Sequence, residues 1–202
     1  MRALLPILII AGLAGCAGKG ESIPVHLKGA MPAVSEVPLS QGLKVTILPF
    51  EDKRSEKARL GRRTHLWGGE SYFVIADGRP EETVAKIVAD YLTRKGWKAT
   101  VATGGSAPAP SDLTITGQIN DLSANVKSGV AHTDINVKSQ ILMQTTDVRN
   151  GNTSRMTLNG ERTRTVFWFD DDDVEEELNQ NLEESLNRLI ADARANELLP
   201  VR

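Results

Sequence analysis

Apolar and polar positions follow two different periods along this chain, and the switches between them mark out the elements. Leu43, Val45 and Ile47 alternate in a stretch rich in β-branched residues that Pro49 closes, so residues 43–50 predict a first strand. Val84, Ile87, Val88, Tyr91 and Leu92 then fall on one helical stripe. Pro80 stands at the first helical position with Glu81 and Glu82 near the positive end of the dipole, and Gly96 marks the stop. Trp97 to Ala102 predicts a second short strand, and the Gly, Ser and Pro residues between Thr103 and Ser111 a loop. From Asp112 the period returns to two. Leu113, Ile115 and Ile119 alternate in one strand, Ile135, Val137, Ile141 and Met143 in another over 134–148, and Arg155 to Phe169 forms a third. Lys127-Ser128-Gly129 and Asn150-Gly151 predict the two connections. These strands form an antiparallel meander with one polar and one covered face. A last helix opens at Asp170 to Asp173 and aligns Val174, Leu178, Leu182, Leu186, Leu189 and Ile190 before Pro200.

This order predicts an α+β fold. A two-layer sandwich results, in which a mixed sheet (strand, helix, strand, then the three-stranded meander) carries both helices on one face. No internal repeat is evident, so residues 41–202 read as a single domain. Upstream, Gly18, Gly20, Gly29, Pro24, Pro32 and Pro38 break every nascent element, and residues 16–40 read as a flexible tether spanning about 25–30 Å. The alternative is that Ile23 to Leu27, or Ala33 to Leu39, docks as an edge strand, the one place where a strand tolerates proline.

The first fifteen residues have the proportions of an export signal. Met1-Arg2 is a short basic start, Ala3 to Gly12 an apolar run too short to span a bilayer, and small residues follow. Leu13-Ala14-Gly15-Cys16 resembles the lipobox of bacterial lipoproteins. That resemblance implies diacylglycerol on the Cys16 thiol, cleavage before Cys16 and acylation of the new amine. The alternative is an ordinary secretory peptide with an incidental cysteine. Ala17 stands where proteobacterial lipoproteins retained in the inner membrane have aspartate, which implies the periplasmic face of the outer membrane. The lipobox, the Pro-rich tether, the strand Val45-Thr-Ile-Leu-Pro-Phe-Glu-Asp-Lys-Arg54 and the helix Val84-Ala-Lys-Ile-Val-Ala-Asp-Tyr-Leu92 before Gly96-Trp97 go together with the meander and final helix. In combination they resemble the uncharacterised YajG-type bacterial lipoproteins and, more loosely, the periplasmic modules of curli-secretion and Tol-type envelope proteins. The likeness spans most of the chain and implies fold and location; it brings no catalytic residue with it.

Charge and composition narrow the partners. The 24 Lys and Arg against 26 Asp and Glu give no electrostatic reason to expect nucleic acid. A single cysteine excludes an intramolecular disulfide framework. Residues 51–79 are long for a connection within a domain, and such loops are usually functional or disordered. Basic and aromatic side chains interleave there, so Arg59, Arg62, Arg63, Trp67 and Tyr72 are candidates for gripping an envelope protein or an anionic glycan. In the alternative reading Tyr72 to Ile75 is a small extra strand, Trp67 caps the sheet edge and the basic groups are solvated.

Other clusters point to less. Asp170 to Asp173 reads as a solvated helix start, or a cation site lacking EF-hand spacing. Phe167-Trp168-Phe169 reads as strand-end core, or an exposed docking patch. Ser128, His132 and Asp134 have the residue types of a triad but no nucleophile elbow, His26, His65 and His132 lack ligand spacing, and there is no phosphate-binding or dinucleotide fingerprint. No catalytic residue, metal or cofactor is therefore expected. The reading that follows is a non-enzymatic, outer-membrane-anchored periplasmic binding or assembly module. Its rival, a lipid-anchored enzyme acting on glycan or lipid, requires a deep pocket joining His65, Asp77 and a meander carboxylate.

Overall fold

The computed structural model describes residues 20–28, 42–102 and 110–195. Along them run β1 (Glu21–Val25), β2 (Lys44–Ile47), β3 (Glu51–Asp52), β4 (Gly61–Thr64), β5 (Glu70–Ile75) and α1 (Pro80–Arg94). There follow β6 (Lys98–Val101), β7 (Leu113–Gly129), β8 (His132–Asp147), β9 (Thr153–Val166) and α2 (Asp171–Ala195). Cys16, the signal segment and residues 29–41 of the tether lie outside the described residues.

All the strands join one mixed sheet, and its spine is β7, 17 residues long. One edge of β7 pairs antiparallel with β8 from Leu113↔Asp147 to Gly129↔His132, and β9 completes the meander. The opposite edge is shared end to end by β2 at Val45↔Leu113, β3 at Glu51↔Gln118 and β4 at Gly61↔Ala124, all parallel. Beyond β2 lies β6; beyond β4 lie β5 and then β1. The sheet thus forks on that side into two branches.

An irregularity holds the spine together. Leu113, Ile115 and Ile119 are buried at odd positions, whereas Leu122, Ala124 and Val126 are buried at even ones. The ladder steps from Ile119↔Ile141 to Asp121↔Gln140, so Asn120 is an extra residue. A one-residue slip without a bulge sends every following side chain to the wrong face; the bulge absorbs the change of parity and keeps the apolar side continuous.

Both helices pack on that side, as the apolar stripes predict. Val84, Ile87, Val88, Tyr91 and Leu92 of α1 are buried, and so are all six predicted positions of α2. The two helices meet where Tyr91 Oη donates to Asn187 Oδ1 at 2.7 Å. The other face of the sheet is polar and open.

Beside its apolar stripe, α2 carries a second buried row, Glu177, Asn181 and Ser185, four residues apart. Asn181 Oδ1 accepts from Ser139 Oγ at 2.9 Å, its Nδ2 donates to the Val137 carbonyl at 3.3 Å, and Ser185 Oγ donates to the Asn159 carbonyl at 3.2 Å. Glu177 accepts from Arg162 Nε at 2.9 Å. The helix comes this close because Gly160, paired with Ser139, has no side chain: a Cβ there would overlap Asn181 Oδ1 and Ser185 Oγ.

Two expectations are corrected. Residues 20–28, assigned to the tether, belong to the fold, as the alternative of an edge strand over Ile23 to Leu27 has it. Ile23, Val25 and Leu27 are buried, β1 pairs parallel with β5, and the α2 side chains Glu175 and Asn179 accept the His26 and Lys28 amides. Pro24 is tolerated because β1 has a neighbour on one side only and Pro24 is exposed. Lys127-Ser128-Gly129 is not the first meander turn but part of the ladder; the turn is Val130-Ala131, with Ala131 in the left-handed region at φ 59°. Asn150-Gly151 does turn the second hairpin, with Gly151 at φ 72°.

After β3 the chain is stapled by a buried ion pair. Arg54 Nε and Nη2 reach Asp52 Oδ1 and Oδ2 at 3.0 and 2.9 Å, and the same guanidinium donates to the carbonyls of Lys57, Arg59 and Leu122. Burial alone would raise the Asp52 pKa, but the bonds and charge of Arg54 overcome it and hold the carboxyl below its ordinary range.

Gly160→Ala is expected to cost about 1–3 kcal/mol in denaturant unfolding, because the overlap forces α2 outward. Arg54→Ala is expected to cost about 3–5 kcal/mol at pH 7, the penalty of stranding a buried carboxylate. A carboxyl with a depressed folded pKa stabilises above its unfolded pKa of about 4 and loses that contribution as pH falls through the folded value. The stability gap between the wild type and Asp52→Asn, followed by urea midpoints, should therefore narrow below about pH 4.

Candidate functional site

The stretch 51–79 is not one loop. Short β3 extends from the end of β2, Arg54 ties down residues 52–59, and β4 and β5 form an antiparallel hairpin whose tip is residues 65–69. Strand alternation sorts its side chains onto opposite faces. Phe73 and Ser71 point to the covered side and are buried, while Glu70, Tyr72 and Arg62 lie on the open side.

On the open side these groups engage one another. Arg62 Nη1 donates to Glu70 Oε1 at 2.8 Å, Tyr72 Oη donates to Glu70 Oε2 at 3.0 Å, and the Arg59 guanidinium lies 3.4 Å from the Tyr72 ring centroid. Together with Asn120, Asp121 and Asn125 they line an open polar depression of about 530 Å³ between the hairpin and the β7 bulge. Among the described residues, Arg62 has a carboxylate partner and Arg59 has none. An arginine stacked on a tyrosine at the rim of a polar depression suits capture of an anionic group.

Of the five candidate residues, Arg59, Arg62 and Tyr72 come together here and two do not. Arg63 follows the alternation to the covered side, where its guanidinium sits 3.9 Å from the Phe169 ring centroid and its Nε donates to Ser128 Oγ at 3.2 Å. Burial lowers its pKa, opposed by the charge of Asp171, whose own pKa burial raises. Trp67 is at the hairpin tip, exposed, and caps no sheet edge. Glu70, Asn120, Asp121 and Asn125 carry no local signature of a site. Asn120 and Asp121 are legible only through the parity switch from Ile119 to Leu122, which announces a bulge and so an outward-splayed pair.

The remaining clusters are accounted for locally. Ser128 is on the covered face with Thr133, while His132 projects from the other face over Gly129 with Asp134 3.8 Å away, so alternation separates the serine from the other two triad types. His65 bonds Ser71 at 2.7 Å near one end of β5, and Asp77 bonds His26 at 2.8 Å beyond the other. Asp170 and Asp173 cap the start of α2, Asp173 Oδ2 accepting the Asp170 amide at 2.9 Å and Asp170 Oδ1 the Asp172 amide at 3.5 Å. Phe169 packs on the core, but Phe167 and Trp168 are exposed rather than strand-end core. Among the described residues no group of three His, Cys, Asp or Glu side chains is placed to hold a metal, and no helix is long and apolar enough to cross a membrane.

Comparison with known proteins places this geometry. The profile of a family described as uncharacterized lipoprotein matches residues 34–199. A solved structure from Xanthomonas campestris, of the DUF330 family, is similar with a TM-score of 0.53 at 10% identity, over 85% of this chain and 94% of that one. A structure of an uncharacterized protein reaches 0.51 at 11% identity, over 86% and 99%. A lipoprotein from Neisseria meningitidis gives 0.41 at 10% identity, over 74% and 99%. At such identities the two closer likenesses show a common fold and the third carries no weight. No curated protein matches the sequence. Since the profile spans most of the chain, the protein belongs to a family of uncharacterized lipoproteins, membrane-anchored proteins of the cell envelope.

Proposed function

We propose that this lipoprotein is held on the periplasmic face of the outer membrane by acyl chains on Cys16 and acts there as a non-enzymatic binding module for an anionic partner, an acidic protein surface or an anionic glycan. The observation that carries the reading is the depression itself. Arg59 stacks on Tyr72 at its rim with no carboxylate partner among the described residues, and the amides of Asn120 and Asn125 stand beside it, while Glu70 is engaged by Arg62 and Tyr72. Two or more acyl chains hold a protein on a bilayer stably, so such a module acts at the membrane surface. The rival enzymatic reading needs His65 and Asp77 in one pocket; they stand at opposite ends of β5.

Two measurements test this. Cys16→Ser should abolish the acyl mass carried by the mature chain and shift it out of the outer-membrane fraction on a density gradient; an unchanged distribution would reject the anchor. For the site, a photocrosslinker at Asn125 in cells should capture a species that Arg59→Glu reduces about tenfold, the effect of losing one charge-assisted contact worth about 1.4 kcal/mol. Arg155→Glu, at the far end of the same face, should leave capture unchanged. Equal capture in all three proteins would reject the depression as the contact, and protease or glycosidase digestion of the adduct distinguishes the two partner classes.

A further inference from the structure

One end of the sheet gathers apolar side chains that nothing in the fold covers. Trp67 is 93% exposed, Trp168 82%, Val130 77%, Phe167 65% and Leu66 41%. They come from three separate turns, and the ladders bring these turns side by side. Thr64, just before the β4–β5 tip, pairs with Lys127, just before the β7–β8 tip. Thr133, just after that second tip, pairs with Val166, next to Phe167. Arg63 bridges them, bonded to Ser128 and stacked on Phe169. At the β7–β8 tip, Ala131 takes a left-handed conformation that a non-glycine residue adopts only at a cost, and neighbouring Val130 stands exposed.

The chain enters the fold at this same pole. The Gly20 amide donates to the Glu70 carbonyl at 2.8 Å, so the start of β1 lies beside the β4–β5 tip. Between Cys16 and Gly20 there are four peptide steps, and a fully extended chain covers them in at most about 14 Å. The headgroup layer alone takes up roughly 5–7 Å of that on one side of a bilayer. An acylated Cys16 therefore cannot let this pole drift far from the lipid, whatever the remaining chain does.

We propose that the pole formed by Trp67, Trp168, Phe167, Val130 and Leu66 seats in the headgroup layer of the membrane that anchors the protein. Tryptophan favours this layer, since its ring is apolar and its N–H needs a polar partner. Lipid contact here is driven by apolar burial and not by charge: Glu21, Asp170, Asp171 and Asp172 flank the pole beside Arg63, which disfavours anionic lipid. With this end on the bilayer, β7 stands away from the surface. The Arg59 depression sits between the hairpin and the bulge, a short way out from the lipid.

This proposal rests on the anchoring reading, and the experiment separates the two. The acylated full chain is incorporated into vesicles of phosphatidylethanolamine and phosphatidylcholine with brominated acyl chains, and tryptophan emission is compared with that in unbrominated vesicles. The chain has three tryptophans, and Trp97 is buried near the opposite end of β7, an internal control. Wild-type emission should fall at least twofold, whereas Trp67→Phe/Trp168→Phe, emitting only from Trp97, should be unquenched. Both residues are exposed, so the double variant keeps the fold. If the wild type floats with the vesicles but is quenched no more than the double variant, the seat is overturned and the anchor stands; a second protein then covers the pole. If the wild type does not float, anchor and seat fall together.

Discussion

Strand β7 must serve three partners in succession along one edge while keeping a single apolar face toward two helices. Parallel neighbours β2, β3 and β4 each take their own register on it, and its buried set moves from odd to even positions midway, which a strand without an extra residue would send to the wrong face. The extra residue at Asn120 resolves the conflict, changing the burial parity midway and opening room on the polar side. The same irregularity keeps the apolar face continuous and places Asn120 and Asp121 in the depression beside Arg59. Bulges of this kind recur beside functional sites, where they re-aim side chains.

Polar groups inside the fold serve position more than stability. The Asp52–Arg54 pair and the carbonyls it gathers shape the rim of the depression, because Arg54 holds the Arg59 carbonyl while the Arg59 side chain lies on Tyr72. The row Glu177, Asn181 and Ser185 sets the register of α2 over β8 and β9 through directional bonds that an all-aliphatic face lacks. Arg162 and Arg164 of β9 extend that row into ion pairs with Glu176, Glu177 and Glu184. Basic residues that look alike in sequence thus divide into those that position the fold and those, such as Arg59, that lie on the open face without a carboxylate partner among the described residues.

Membership of a lipoprotein family gives the pole and the depression a common frame. With β1 docked in the sheet, the path from Cys16 to the folded body is four residues and not two dozen, so orientation becomes a property of the protein. On the proposed seating, the body presents one end to the lipid and its open polar face sideways.

Local spacing by itself determined the two helices, the three meander strands, the α+β class and the lipobox-like start, because a helix or a half-buried strand repeats its apolar positions at a period that survives any arrangement in space. Leu178 and Val137 are buried because of their places in such repeats. What the spacing left open depends on neighbours distant in sequence. Residues 21–25 read from spacing either as tether or as an edge strand, and only the edge of β5 decides between them, while Arg62 and Arg63 are adjacent basic residues until the pleat sends one to the open face and the other onto Phe169. The aromatic pole is the clearest case: Trp67, Val130 and Trp168 lie in three unrelated turns, and only the pairing of β4, β7, β8 and β9 sets them together beside the entry of the chain, because pairing partners, not periodicity, decide which strand ends share a side of the sheet.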